Sequence, residues 1–173
     1  SLSVTAFWRF FEASAALVYD SSLLGYTSPI AGQRYRFQVS PTVGEIQLLQ
    51  ALADYRRYQF LNPFTLGVRG LHIGRYGPDA EGVIDGQRVF QEMYLGQPWY
   101  VRGYYGVWSD CQNSGDTGDA QSCELLQQLL GSRLGVVSGE IRFPLIQQLV
   151  LGTVGFPPIE GFVFGDARVT WTQ

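Results

Sequence analysis

Apolar and polar residues alternate along much of this chain, and helical periodicity is scarce. In "QRYRFQVS" the even positions Arg34, Arg36, Gln38 and Ser40 are polar, while Tyr35, Phe37 and Val39 are apolar. That period of two predicts a strand with one face buried. In "LLQALADYRRY", Leu49, Ala51, Ala53 and Tyr55 share a face against Gln50, Asp54 and Arg56, with Leu52 as the exception. Phe64, Leu66 and Val68 oppose Thr65, Gly67 and Arg69; beyond Gly70 the alternation blurs, which predicts a bulge or a loop there. Val137, Ile141, Phe143 and Leu145 line one face with Gly135 and Gly139, opposite Ser138, Glu140 and Arg142. In the last run Val163, Ala167, Val169 and Trp171 oppose Asp166, Arg168 and Thr170. "SAALVYDSS" and "RVFQEMYLG" are weaker candidates, for about seven strands in all.

Turn-rich segments punctuate these runs: "GYTSPIAG", "SPTVGE", "LNPF", "YGPDAEGVIDG" and "FPPIEG". The longest connection spans 97–132 and contains "CELLQQLLG", which can form a short helix. No repeat or linker interrupts the chain, so its 173 residues read as one domain of antiparallel all-β class. Two architectures produce such a pattern. A β-sandwich hides its apolar face in a core; a transmembrane β-barrel turns it to lipid and its polar face to a wet lumen. Charges of both signs at mid-strand (Asp54, Arg56, Arg69, Glu140, Arg142, Asp166, Arg168) and aromatics near strand ends (Tyr19, Tyr35, Tyr58, Phe64, Trp171) tilt the pattern slightly toward a barrel.

Composition narrows the chemistry. Charged residues are 16% of the chain, all 12 basic residues are Arg, and the net charge is -3. Nucleic acid is not expected as a partner, because phosphate binding needs a concentrated basic face. No apolar run reaches the roughly 18 residues of a transmembrane helix, and no charged segment followed by an apolar one marks a signal peptide. Cys111 and Cys123 bracket a polar loop and read either as a disulfide in an oxidising compartment or as two free thiols. The sole histidine, His72, lies between Leu71 and Ile73 and reads as a packed side chain. No nucleotide-binding, zinc-protease or serine-hydrolase motif occurs. Glu140 and Asp166 could form a glycosidase pair, but flanking arginines point to ion pairing instead. Asp110, Asp116 and Asp119 lack the spacing of an EF-hand and read as a solvated loop. No enzyme activity, metal or cofactor is expected.

Three motifs in order carry a resemblance. Val101-Arg102-Gly103-Tyr104 matches a [V/I]RG[F/Y] loop motif; Glu140-Ile141-Arg142-Phe143-Pro144 matches an acidic residue followed by an apolar-aromatic-Pro pattern; and Phe162, Phe164, Gly165 and Asp166 match a phenylalanine-rich segment ending in Gly-Asp. Over residues 97–171 the chain resembles the barrel of the BamA-like outer-membrane proteins, the bacterial surface antigens. The resemblance implies that 1–173 is a segment of one outer-membrane β-barrel domain, with the long extracellular loop 97–132 folding into the lumen. It implies that Arg102 meets Glu140 and Asp166 on the wall, that Gly103 lets the backbone turn beside it, and that Tyr104 and Trp99 pack there.

The implied role is assembly or insertion of outer-membrane proteins, or protein translocation, in the bacterial outer membrane. Lipid, other barrel proteins, periplasmic assembly factors and the remainder of a longer chain would be the partners. The family barrel has roughly sixteen strands, so the seven seen here are expected to be part of a longer chain, and the start at "SLSVTAFW" is expected to lack its natural beginning. A passive pore or structural barrel domain is an alternative of the same fold. A soluble β-sandwich binding module, with carbohydrate on its Trp and Tyr, is the alternative from another class.

Overall fold

The computed structural model describes residues 9–25, 27–84, 86–104, 106–112, 120–146, 149–151, 154–156 and 158–172. Four long strands follow the alternating segments: β4 (Pro29–Gly44), β5 (Leu48–Leu61), β6 (Phe64–Tyr76) and, after a long excursion, β11 (Arg133–Ile146). A fifth, β14 (Ile159–Trp171), ends the chain, and short β1 (Phe10–Glu12), β2 (Ala15–Asp20) and β3 (Leu23–Leu24) begin it. These eight make one antiparallel sheet in the order β1-β4-β5-β6-β11-β14, with β2 and β3 also on β4. A tight turn with a cis Asn62–Pro63 bond joins β5 to β6. β4 runs straight through "SPTVG", which the sequence alone assigns to a turn. Pro41 needs no amide hydrogen there, and its carbonyl accepts from Ala13 N at 3.2 Å between β1 and β2.

The excursion between β6 and β11 is longer than the loop predicted from the sequence. It contains β7 (Val83–Ile84) paired with β8 (Gln87–Arg88), then β9 (Met93–Tyr94), α1 (Val107–Gln112), α2 (Ala120–Gln128) and β10 (Leu130–Gly131), which pairs with β9. Of the expected strand "RVFQEMYLG", only the ends pair, at β8 and β9. A hairpin of β12 (Leu149–Leu151) and β13 (Val154–Phe156) joins β11 to β14.

No bulge follows Gly70. β6 keeps continuous register with β5 from Phe64 to Tyr76 and with β11 from Thr65 to Gly74. The alternation blurs for another reason: Leu71 falls on the charged face, where the excursion covers it. With Leu134 and Val136 of β11 it packs against Leu95, Val101 and Leu129 of the excursion. All six are buried, and each fully buried Leu contributes about 2 kcal/mol. A smaller cluster, Ile46, Leu48 and Ile84 with Val89 and Phe90, holds the β7–β8 hairpin down. The opposite face is apolar and exposed, with Leu17, Phe37, Val39, Val137, Ile141, Val163 and Val169 open to the surroundings.

The barrel expectation is corrected by this topology. Closing a barrel requires the last strand to pair with the first. Among the described residues no ladder joins β14 to β1, β2 or β3, so the sheet is open. It curls around its charged face far enough for Ser28 Oγ to donate to Glu160 Oε2 at 2.9 Å and for Arg142 Nη1 to donate to the Pro29 carbonyl at 3.0 Å. Those are side-chain contacts across the mouth of the curl, not strand pairing. Nor do the described residues form two large packed sheets: the layer over the charged face is the excursion. Among the described residues no helix is long and apolar enough to cross a membrane. The expected outer-membrane location, lumen, lipid contact and barrel-assembly partners followed from the resemblance to a barrel family, and they are corrected with the fold. The chain is a mostly β, open-sheet domain stabilised by internal ion pairs and a disulfide.

Candidate functional site

Register decides which charges meet. Ser138 of β11 stands opposite Asp166 of β14 and Arg69 of β6, while Glu140 stands opposite Phe164 and Gly67. Glu140 and Asp166 therefore share the covered face, two residues apart in register on neighbouring strands. Arg102 reaches them from the excursion. Its Nε and Nη2 donate to Asp166 Oδ2 and Oδ1 at 3.1 and 2.8 Å, and its Nη1 donates to Glu140 Oε2 at 3.1 Å. Its backbone N–H also donates to Asp166 Oδ2 at 3.2 Å. The Arg102–Asp166 pair is the two-pronged arrangement that matches a planar guanidinium to a carboxylate. The Arg102 guanidinium lies 3.8 Å from the centre of the Phe164 ring. Asp166 is 6% exposed, Glu140 18% and Arg102 32%.

A second cluster lies beside the first. Asp54 accepts from Arg56 at 3.1 and 2.8 Å and from Arg69 at 3.1 and 3.0 Å. The remaining Nη1 of Arg69 donates to the Trp99 carbonyl at 2.7 Å, a second tie between sheet and loop. Arg142 bonds to the free oxygen of Glu140. Thus Glu140 holds two arginines, Arg102 and Arg142.

These bonds set the titration of the carboxylates. The hydrogen bond from Arg102 holds Asp166 below the ordinary carboxylate range, outweighing burial, with Ser138 and the Arg102 N–H adding to it. For Asp54 burial works upward, but the bonds from Arg56 and Arg69 prevail and its pKa is lowered. A carboxylate depressed in the folded state contributes stability that is fully present above its unfolded value, about 3.9, and is lost as pH falls through the lower folded value. Stability measured by urea titration is therefore expected to be flat from pH 7 to 5 as far as these two groups act, and to fall below pH 4. An Asp166→Asn variant should lose part of that acid-dependent fall; an unchanged slope would remove Asp166 from the account.

The other residues singled out in the sequence separate into groups. Gly103 has φ +90, the left-handed region that glycine tolerates, yet an added Cβ would meet nothing within 4 Å. The turn, not a close approach to the wall, requires glycine there. Tyr104 packs on the core beneath the excursion, and the Arg168 guanidinium lies 3.4 Å from its ring centre. Trp99 is exposed; only its backbone carbonyl serves the site. His72 faces the other side of the sheet, between the Leu134 carbonyl at 2.9 Å and the Tyr76 hydroxyl at 2.6 Å, stacked on Trp171. Cys111 and Cys123 form a disulfide that joins α1 to α2, outside the ionic cluster. Asp110 lies in α1, while Asp116 and Asp119 fall outside the described residues. Among the described residues no three metal-ligating side chains converge as a cation site.

Sequence reasoning missed the Asp54–Arg56–Arg69 cluster and the Arg168–Tyr104 contact. The mid-strand charges signalled that partners were needed, but pairing them requires the register. Comparison with family models, with curated proteins and with solved structures finds no match to this chain. With the sheet open as well, the assignment to the BamA-like superfamily, and the assembly and translocation roles drawn from it, are corrected. Three short motifs are too little sequence to identify a family when neither closure nor an overall match accompanies them.

Proposed function

We propose that this chain is a non-catalytic β-sheet binding module whose charged, concave face and latched excursion together form the recognition surface. The observation that carries the reading is the bonding of Arg102. All three guanidinium nitrogens and its backbone N–H are spent on two carboxylates from two strands. A guanidinium cannot serve as an acid or base near neutral pH, and Asp166, held below the ordinary carboxylate range, is a poor proton donor. The groups are bonded for position rather than for reaction. Pinning a segment of the excursion at a fixed height above the sheet creates a cleft whose walls belong to both layers. Preorganisation of that kind lowers the ordering cost of binding.

Trypsin tests the latch directly, because the Arg102–Gly103 bond is itself a tryptic site. In the native chain the guanidinium is occupied, so slow cleavage of the bond is the expected result. In Asp166→Asn the two-pronged contact is lost, and cleavage after Arg102 is expected to rise about tenfold or more, the effect of roughly 1.4 kcal/mol on the opening equilibrium. Cleavage after the exposed Arg57 serves as the internal reference. An unchanged ratio of the two rates would overturn the latched-module reading.

A further inference from the structure

The strand register places like charges directly opposite one another. Arg34 of β4 faces Arg56 of β5, and Arg56 faces Arg69 of β6, so three arginines form a row straight across three strands. Directly opposed like charges destabilise a sheet. Asp20 lies 3.7 Å from Arg34, and Asp54 bonds both Arg56 and Arg69, but that one carboxylate cannot neutralise two guanidiniums. Around the adjoining cavity Arg56, Arg69, Arg102 and Arg142 face the three carboxylates Asp54, Glu140 and Asp166, an excess of one positive charge. The chain as a whole carries -3. The surplus is therefore local, and it sits at a concavity.

That cavity, about 230 Å³, lies where the latched loop meets the sheet. The four arginines line it together with a single carboxylate, Glu140, whose two oxygens are already bonded to Arg102 and Arg142. Arg56 spends Nε and Nη2 on Asp54, which leaves Nη1 outside those bonds. Arg142 spends Nη1 on the Pro29 carbonyl and Nη2 on Glu140, which leaves Nε outside. Tyr58 from the sheet and Tyr100 from the loop supply flat, partly apolar walls. A surplus of one positive charge matches a monoanion, one nitrogen from each of two guanidiniums can meet the two oxygens of a carboxylate, and tyrosine walls match a ring.

We infer that the cleft between Arg56, Arg142, Tyr58 and Tyr100 binds a small organic carboxylate carrying a ring. This deepens the binding-module reading and rests on it: it names the ligand class of the cleft that the Arg102 latch builds. The anion lies between Arg56 and Arg142, and the ring lies against the two tyrosines.

Benzoate is the probe, titrated calorimetrically into the intact chain at low ionic strength, with benzyl alcohol and inorganic phosphate in parallel. Benzoate is expected to bind saturably, to weaken as salt rises, and to lose about tenfold or more in affinity in Arg56→Gln. Arg57→Gln removes the same charge from the opposite, exposed face and should bind as the native chain does. Absence of saturable benzoate binding overturns the inference. So does equal weakening by the two variants, equal binding of benzyl alcohol, or tighter binding of phosphate. Should Arg56→Gln fail to unfold cooperatively, the contrast between benzoate and benzyl alcohol on the native chain still decides. A negative benzoate result with an intact tryptic latch removes only the ligand class; an altered latch result removes the module reading irrespective of benzoate.

Discussion

Arg102→Ala is expected to destabilise the domain by about 3 kcal/mol, read as a fall in the urea midpoint at neutral pH with little change in slope. The effect comes mainly from what is left behind. Asp166, only 6% exposed, would lose both side-chain bonds and keep a buried charge whose nearest cation is gone. Glu140 would suffer less, because Arg142 still bonds its other oxygen. The value sits at the low end for a broken buried pair because the guanidinium itself is a third exposed. Arg102→Lys should recover less than half of the loss, since an ammonium cannot span two carboxylates from two strands with a planar fork. A loss below about 0.5 kcal/mol for Arg102→Ala would mean that the loop is held by its apolar contacts and the Arg69–Trp99 bond without help from Arg102.

Leu134→Ala is expected to cost about 3 kcal/mol, and Val137→Ala about 0.5 kcal/mol or less. The two residues lie three apart on β11 but point to opposite faces. Leu134 is 1% exposed, under Leu95, Val101 and Leu129, so its removal leaves a cavity at the junction of sheet and excursion. Val137 is 66% exposed on the uncovered face and has little packing to lose. Amide hydrogen exchange gives a second readout. The Leu134 variant should speed exchange in β9 and β10, which the same cluster holds, before it affects β4 and β5. Equal destabilisation by the two substitutions would place the core somewhere other than beneath the excursion.

Both predictions depend on which face of β6 and β11 is covered, and that was only half legible in the sequence. Alternation placed Glu140 and Arg142 together, and Asp54 with Arg56, because side-chain direction in a strand has a period of two and is local. It misread "GLHIG" as a break, because Leu71 and Ile73 look out of phase on a charged face. They are in phase; the face changes from charged to apolar halfway along the strand, where the excursion arrives. Trp99 likewise was expected to pack beside Arg102, yet its carbonyl makes the tie and its ring is exposed. A backbone acceptor carries no residue-specific signal.

By itself the sequence determined the alternating cores of the five long strands, the short helix near Cys123 and the need of the mid-strand charges for partners. All of these follow from periodicity and from the cost of an unpaired charge. Only the tertiary structure decided that the sheet stays open, that the excursion begins at residue 77 and covers half of one face, and that Arg34, Arg56 and Arg69 stand in a row. Closure, cover and register are relations between segments far apart in the chain. They depend on the summed contacts of whole strands and loops, and no window of residues contains them.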